Sequence, residues 1–206
     1  YKDPMTGEHL GCDSKAVWRR GERVQFAQLL QRWRDAGWLQ ALEQGAHLVI
    51  TGGEPLVQQQ RVLAFIDYLD ATLQQDVFIE IETNGTMLFE VKLLHRLNQI
   101  NVSPKLTNSG EARAKALVLA VMQQLAVEVK AKFKFVVNSE LDVQEIIKNY
   151  VTPFAIPAQR VWLMPEGGTQ QELQLKREWV VEQCKQYLFN SSPRLQVVIW
   201  DEVTGV

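Results

Sequence analysis

The stretch His47-Leu-Val-Ile-Thr-Gly-Gly-Glu-Pro55 decides the fold of this chain. Its apolar run, 47–50, is typical of a buried strand, and the residues after it end the strand before a helical pattern. Gly52 and Gly53 let a ligand approach the main chain, and Glu54 places a carboxylate at the carboxyl end of a strand, where it suits a ligand ammonium group. The alternative interpretation is a plain turn before a helix that starts with proline.

Strand and helix patterns alternate along the rest of the chain. Strands are predicted at 47–51, 77–82, 100–105, 129–137, 160–164 and 195–200. Helices are predicted at 22–45 with a break near Gly37, 55–73, 91–97, 111–125, 141–150 and 172–188. This alternation indicates an α/β fold with a mainly parallel sheet. Polar residues recur at the carboxyl ends of strands, which favours a partial TIM-like barrel, although an open doubly wound sheet follows the same rule.

Composition excludes several classes of protein. The 206 residues are 46% hydrophobic and 22% charged, with a formal net charge of -2, so no basic surface for nucleic acid is indicated. No apolar run approaches the roughly 18 residues of a membrane span, and we expect a cytoplasmic protein that binds a small molecule. With no linker and no short repeat, we predict one domain over residues 1–206.

The two cysteines differ in their surroundings. Cys184 lies in an amphipathic helical pattern, which indicates a buried structural thiol. Cys12 lies in a polar segment beside Gly11 and is the candidate functional cysteine. Two cysteines imply no disulfide framework and allow a reducing compartment.

Four polar side chains follow successive predicted strands: Glu54, Glu82, Ser103 and Lys105. The carboxyl ends of parallel strands meet at one face, so we expect these side chains to converge on one pocket mouth. Their mixture of acceptors with one ammonium suits a zwitterionic, hydroxyl-rich ligand better than a phosphate. The sequence contains no P-loop, GxGxxG, HExxH or GxSxG motif.

Several motifs together carry a resemblance to a known family. They are Thr51-Gly-Gly-Glu-Pro55, Glu82-Thr-Asn-Gly-Thr86, Ser103-Pro-Lys105, Lys134-Phe-Val-Val137, Trp162-Leu-Met-Pro-Glu-Gly167 and Val198-Ile-Trp-Asp-Glu-Val-Thr-Gly-Val206. In this order they resemble the motifs of the 7-carboxy-7-deazaguanine synthases, which are radical S-adenosylmethionine enzymes. Cys12-Asp-Ser14, followed by Trp18, resembles the end of that family's cysteine motif.

The resemblance implies an incomplete barrel of the radical S-adenosylmethionine type. It also implies three cofactors: a 4Fe-4S cluster on three cysteines, S-adenosylmethionine and Mg²⁺. The implied reaction is that of a lyase, a ring contraction of 6-carboxy-5,6,7,8-tetrahydropterin to 7-carboxy-7-deazaguanine with release of ammonia, in the biosynthesis of queuosine and other 7-deazapurines. A homodimer and an electron donor such as flavodoxin are implied as partners.

The resemblance also implies roles for individual residues by their positions. S-adenosylmethionine contacts fall on Gly11, Cys12, Asp13, Gly53, Glu54, Glu82, Ser103, Pro104 and Lys105. Substrate contacts fall on Thr51 and Val206, and Glu82 is placed beside either the ribose or the substrate. The metal ligands are Cys12 for the cluster and Ser14, through its hydroxyl, for Mg²⁺.

The chain departs from the family at its N-terminal end. A cluster needs three thiolates, and only Cys12 stands at a suitable position, because His9 occupies the place of a CxxC partner. We expect an insertion that includes residues 1–8 and moves the second cysteine upstream, and we expect that an N-terminal strand and a Gln-Gly-Glu segment precede this sequence. Two alternatives remain open: another radical S-adenosylmethionine enzyme, such as a glycyl-radical activating enzyme, and a cluster-free binding relative.

Overall fold

The computed structural model describes residues 22–110 and 117–203. These residues divide into two compact units, the first containing 22–83 and 87–100, and the second containing 84–86, 101–110 and 117–203. The single domain predicted over 1–206 stays a prediction. No helix of the described segments is both long enough and apolar enough to cross a membrane.

The first unit begins with two helices and continues through two βα connections. Its elements are α1 (Phe26–Asp35), α2 (Trp38–Glu43), β1 (Leu48–Ile50), a 3₁₀ turn (Pro55–Gln58), α3 (Gln59–Leu73), β2 (Ile79–Thr83), α4 (Val91–Arg96) and the first residues of β3 (Gln99–Val102). Gly37, with φ of 77°, separates α1 from α2, which confirms the predicted break. The 3₁₀ turn replaces the first turn of the helix predicted at 55–73.

Strands β1 and β2 pair in parallel, with Leu48 opposite Ile79 and Ile50 opposite Ile81. Burial alternates along β2, because Ile79, Ile81 and Thr83 face the interior while the residues between them are half-buried. The core of the unit is completed by Leu56, Ile66 and Leu69 from the segment after β1 and by Leu93, Leu94 and Leu97 around α4. The strand predicted at 77–82 is therefore confirmed, together with the alternation of its inward and outward side chains.

The second unit continues the alternation of strands and helices. Its elements are the end of β3, a 3₁₀ turn (Thr107–Ser109), α5 (Leu119–Val127), β4 (Ala131–Val137), α6 (Glu140–Ile146), a π-helical turn (Ile147–Val151), α7 (Thr152–Phe154), a 3₁₀ turn (Ala158–Arg160), β5 (Val161–Pro165), α8 (Gln170–Tyr187), β6 (Asn190–Ser191) and α9 (Leu195–Trp200). Of the helix predicted at 111–125, residues 111–116 lie outside the described residues.

The core of the second unit is built on β4. Ala131, Phe133, Phe135 and Val137 are fully buried, while the lysines that alternate with them are half-buried. Strand β4 pairs in parallel with β5, and β5 pairs in parallel with β6. The alternation predicted at 129–137 is thus confirmed from Ala131 onward, whereas Val129 is exposed and precedes the strand.

The strands follow the order β1-β2-β3-β4-β5-β6, so spatial order repeats chain order. No pairing between β1 and β6 closes this order within the described ranges. An open parallel sheet with helical connections confirms the predicted α/β class and the incomplete form of the barrel.

Two predicted elements were wrong in type or extent. The strand predicted at 195–200 is helix α9, and the last strand is the short β6 at Asn190–Ser191. A short apolar run does not distinguish a strand from a helix by periodicity. Here the main-chain N–H of Val198 bonds to the carbonyl of Arg194 at 3.0 Å, which is helical geometry. The helix predicted at 141–150 widens into a π-helical turn after Ile146.

Candidate functional site

Glu54 occupies the turn that follows β1. Gly52 has φ of 124°, a conformation that requires glycine, and the chain then enters the 3₁₀ turn with Glu54 at its N-cap. One carboxylate oxygen of Glu54, Oε1, accepts a bond from the Leu56 N–H at 3.1 Å and another from the Thr83 hydroxyl at 2.9 Å. Glu54 therefore caps this turn, as the plain-turn interpretation expects, and its role toward a ligand ammonium group stays a prediction.

Thr51 and Glu82 form a pair of polar side chains at the carboxyl ends of β1 and β2. The hydroxyl of Thr51 donates to Oε2 of Glu82 at 3.3 Å. Thr51 is exposed and Glu82 is half-buried. The structure therefore joins Thr51 to Glu82 and Glu54 to Thr83 at the neighbouring ends of β1 and β2.

The turn after β2 is built from Asn84, Gly85 and Thr86. Oδ1 of Asn84 accepts from the N–H of Thr86 at 2.9 Å and from its hydroxyl at 2.6 Å, which forms an Asx turn. Gly85 has φ of 74°, and a Cβ on it would lie 2.9 Å from Cγ1 of Val102. Both the backbone angle and the close approach demand glycine at this position.

The segment Ser103-Pro104-Lys105 follows β3 in the second unit. Ser103 and Lys105 are half-buried, and Pro104 is buried. Tyr150, on the π-helical turn, donates its hydroxyl to the carbonyl of Lys105 at 3.2 Å. The ion pairs of the described residues do not include the Lys105 ammonium. A half-buried cation of this kind suits a ligand carboxylate.

The residues that follow the Lys105 segment are hydrogen-bonded to two other elements of the second unit. Glu145, in α6, accepts from the N–H of Thr107 at 3.1 and 3.3 Å through its two oxygens. Asn108 donates its side-chain amide to the carbonyl of Val136 at 3.2 Å. The backbone after β3 is thereby bonded to α6 and β4.

The motif at 162–167 forms the end of β5 and the entry to α8. A Cβ on Gly167 would lie 2.9 Å from Leu173, so the chain packs closely there, and Arg194 donates to the Gly167 carbonyl at 2.9 Å. Glu172 accepts from the N–H of Gly168 at 2.6 Å, and this bond holds the pKa of the Glu172 carboxyl below its ordinary value. Gly167 therefore lets the end of the motif pack closely against α8, and the residues that follow it cap that helix.

The C-terminal motif contacts the start of α8. Asp201 accepts from the N–H of Gln170 at 2.7 Å, and the carbonyl of Val198 accepts from the Gln170 side chain at 3.1 Å. Residues 204–206, which include the predicted substrate contact Val206, lie outside the described residues.

The predicted site residues therefore fall into three groups. Thr51, Gly53, Glu54 and Glu82 lie in the first unit, and Ser103, Pro104 and Lys105 lie in the second. Gly11, Cys12, Asp13, Ser14 and Val206 lie outside the described residues. Convergence of the first two groups on one pocket mouth stays a prediction.

Sequence analysis missed two contacts, both made by hydroxyl groups. Thr83 bonds Glu54, and Tyr150 bonds the Lys105 carbonyl. A signal for Thr83 was present, because it occupies an inward position of an otherwise apolar strand face. Tyr150 lies 45 residues from Lys105 and had no comparable signal.

In the described residues, Glu54 of the first unit offers a carboxylate and Lys105 of the second unit offers an ammonium group. The charges of these two groups are opposite to those of the amino and carboxylate groups of S-adenosylmethionine. No group of three His, Cys, Asp or Glu side chains able to hold a metal occurs in the part of the chain that the structure describes. Cys184 is buried there, and burial raises the pKa of its thiol, which disfavours the thiolate that iron requires. These residues do not fit a 4Fe-4S cluster.

The open parallel sheet, with polar residues following its strands, is an incomplete barrel whose fold is shared with a solved structure. The crystal structure of QueE from Escherichia coli is similar, with a TM-score of 0.52 and 19% identity over 83% of this chain and 64% of that chain. This chain therefore spans less than two thirds of that structure.

Sequence relatives define the family more closely. A 7-carboxy-7-deazaguanine synthase from Pyrobaculum aerophilum is 32% identical over 199 residues, 94% of this chain and 81% of the relative. Proteins of the same name from Halobacterium salinarum and Rhodopirellula baltica are 32% and 30% identical, over 80% and 90% of this chain. No protein-family model matches the sequence. The chain belongs to the 7-carboxy-7-deazaguanine synthase family.

Proposed function

We propose that the chain is the core of a 7-carboxy-7-deazaguanine synthase, a radical S-adenosylmethionine lyase. The reaction is the ring contraction of 6-carboxy-5,6,7,8-tetrahydropterin to 7-carboxy-7-deazaguanine with release of ammonia, a step toward queuosine and related 7-deazapurines. The observation that carries the proposal is the 32% identity to a synthase of that name across 94% of the chain.

Charge complementarity supports different binding roles for the residues that follow each strand. Gly53 exposes the main chain, and Glu54 binds the methionyl ammonium of S-adenosylmethionine through a carboxylate whose direction is set by bonds from Leu56 and Thr83. Ser103, Pro104 and Lys105 bind the rest of the same cofactor, with the Lys105 ammonium facing its carboxylate. These groups orient the sulfonium without taking part in a covalent step.

The substrate contacts are placed on the polar residues beside Glu54. Thr51 and Glu82 are joined by a hydrogen bond of 3.3 Å, so the Glu82 carboxylate holds the Thr51 hydroxyl in one orientation. We place Thr51 and Val206 against the pterin, and Glu82 against either the pterin or the ribose. The Thr51 hydroxyl and the Glu82 carboxylate both present oxygen acceptors, which suit the N–H groups of a pterin ring.

The remaining assignments come from family membership. When bound, a 4Fe-4S cluster would supply the electron for reductive cleavage of S-adenosylmethionine, the chemistry of this class. Cys12 is proposed as one cluster ligand with Gly11 and Asp13 beside the cofactor, and Ser14 as an Mg²⁺ ligand. A single domain, a homodimer, a flavodoxin-type electron donor and a cytoplasmic location complete the proposal.

The test is anaerobic reconstitution of the full-length protein with iron and sulfide, followed by incubation with S-adenosylmethionine, reductant and 6-carboxytetrahydropterin. We expect 5′-deoxyadenosine and 7-carboxy-7-deazaguanine, identified by mass. If 5′-deoxyadenosine forms without the deazaguanine, the protein is a radical enzyme with another substrate. Binding of S-adenosylmethionine with no cluster formed would identify a cluster-free binding relative.

A further inference from the structure

The hydroxyl of Thr83 occupies an unusual place at the end of β2. Thr83 is 3% exposed and lies on the same face as Ile79 and Ile81, which pack in the core of the first unit. An apolar side chain would continue that face, whereas a buried hydroxyl needs a hydrogen-bond partner to offset the loss of water. The acceptor is Oε1 of Glu54, 2.9 Å away.

The pairing of β1 with β2 explains how these residues meet. Ile50, the last residue of β1, lies opposite Ile81 in the parallel register, so β2 continues for two residues beyond the end of β1. Glu54 lies four residues beyond Ile50, after the glycine turn, and Thr83 lies two residues beyond Ile81. The contact therefore joins the turn after β1 to the end of β2.

A second donor acts on the same carboxylate oxygen. The N–H of Leu56 bonds Oε1 of Glu54 at 3.1 Å, so two donors from different segments meet on one atom. A glutamate side chain has several rotatable bonds, and fixing them before a ligand arrives lowers the entropy lost on binding. Two bonds on Oε1 fix the plane of the carboxylate and thereby the direction of its other oxygen.

We propose that Thr83 is a positioning residue, whose hydroxyl orients the Glu54 carboxylate for the ammonium group of S-adenosylmethionine. This role rests on the proposed function of Glu54. Thr83 acts through Glu54 and does not touch the cofactor. The other donor to Glu54 is the main-chain N–H of Leu56, which a substitution does not remove. The Thr83 hydroxyl is therefore the donor that a substitution can test.

The test is a thermodynamic cycle on the reconstituted protein, with S-adenosylmethionine binding measured by calorimetry. Thr83→Val keeps the shape of the side chain and removes its donor, and we expect a weakening of about fivefold to tenfold. Thr83→Ser keeps the donor and should bind within about twofold of the parent. In a Glu54→Ala background, Thr83→Val should change affinity less than about twofold.

Controls separate positioning from general stability. Thr72→Val removes an exposed hydroxyl that donates to the Tyr68 carbonyl in α3, and it should leave affinity unchanged. Thermal unfolding is recorded for each variant beside its affinity. If Thr83→Val does not fold, Thr83→Ala removes the same hydroxyl with a smaller side chain and replaces it in the cycle.

The outcomes distinguish the positioning role from the proposed function. If the parent protein does not bind S-adenosylmethionine, the proposed function fails. If the parent binds and Thr83→Val weakens binding equally with and without the Glu54 side chain, the positioning role is overturned. Unchanged affinity in Thr83→Val, with only a lower melting temperature, overturns it as well.

Discussion

Lys105 is the residue that we propose as the cationic partner of a ligand carboxylate. We predict that Lys105→Met weakens binding of S-adenosylmethionine by tenfold to a hundredfold, because a hydrogen bond to a charged group contributes about 1.5–3 kcal/mol. Calorimetric titration of the reconstituted protein measures the change. Lys92→Met, which removes an exposed lysine from α4, is the matched control. Equal affinity in Lys105→Met and the parent would contradict the assignment.

Arg160 has a role in stability that differs from the roles of the strand-end charges. Its guanidinium is buried and donates to the carbonyls of Leu125, Ala126 and Ala131 at 2.7–2.9 Å, and it lies 5.3 Å from the ring centre of Phe133. The first two carbonyls belong to the last turn of α5, where a cation also interacts favourably with the helix dipole.

We predict that Arg160→Met lowers the free energy of unfolding by about 3 kcal/mol, since buried carbonyls lose charged donors. Urea unfolding monitored by circular dichroism measures the loss. Arg177→Met, on the exposed side of α8, is the control and should change stability by less than about 0.5 kcal/mol. A loss in Arg160→Met no larger than that of the control would contradict the prediction.

At the scale of elements, α8 begins with a reciprocal cap that responds to pH. The Thr169 hydroxyl accepts from the N–H of Glu172 at 3.1 Å, and the Glu172 carboxylate accepts from the N–H groups of Gly168 and Thr169. The Gly168 bond is the largest cause that holds the pKa of Glu172 below its ordinary value of 4.5. The stabilisation is therefore present above pH 4.5 and is lost as pH falls through the lower pKa of the folded state.

We predict that Glu172→Ala lowers stability by about 1 kcal/mol at neutral pH, as loss of a helix cap does. The difference from the parent should shrink as the pH is lowered below 4.5, because the carboxylate becomes protonated. Thermal unfolding at several pH values measures it, with Glu178→Ala, in the exposed middle of α8, as the control. A difference that stays constant down to pH 3 would show that charge has no part in the cap.

The π-helical turn connects a buried aromatic cluster to the Lys105 segment. Tyr150 is 2% exposed, its ring lies 5.0 Å from that of Phe135, and its hydroxyl bonds the Lys105 carbonyl. Turns of this kind are frequent at functional sites because they displace a side chain from regular helical spacing.

We predict that Tyr150→Phe weakens binding of S-adenosylmethionine severalfold and lowers stability by about 1 kcal/mol, the value of one hydrogen bond. Calorimetry and thermal unfolding measure the two effects. The control is Tyr187→Phe, which removes a hydroxyl bonded only on the surface, to Gln144. A change in stability with no change in affinity would limit Tyr150 to a structural role.

The elements that the sequence predicted well are those with long, regular periods. Strand β4 alternates over seven residues, and α8 has 18 residues with a buried stripe, so periodicity determined both. Helix α9 is only six residues long, and its β-branched residues favour a strand by propensity. Strand β6 has two residues, too few for any pattern. Pairing with β5 defines β6, and local sequence does not contain that information.

At the scale of the whole molecule, the site predictions differ in origin. Glu54 and Glu82 follow from strand ends and were found from the residues themselves, since parallel strands gather ligands at one edge. Their hydrogen-bond partners depend on the register between β1 and β2, which the sequence alone did not give. The cofactor roles came from ordered motifs and stay predictions, because 32% identity over 94% of the chain shows the family and not the role of each residue.

The cysteine content of the whole chain leads to the last prediction. A radical S-adenosylmethionine cluster takes three thiolates in this family, and the 206 residues contain only Cys12 and Cys184. Cys184 is buried, its sulfur lies 3.2 Å from the Asn190 carbonyl oxygen, and burial raises the pKa of its thiol. Iron therefore has neither an accessible nor an ionised ligand at this position.

We predict that this 206-residue chain alone, treated anaerobically with iron and sulfide, retains no stoichiometric 4Fe-4S cluster. Cys184→Ser should retain the same small amount of iron as the parent chain, because its thiol takes no part in binding. Iron and sulfide analysis with electron paramagnetic resonance after reduction measures both. A stoichiometric cluster on the unaltered chain that is lost in Cys184→Ser would contradict the structural role of this cysteine. A cluster that survives Cys184→Ser would mean that non-cysteine ligands replace the missing thiolates beside Cys12.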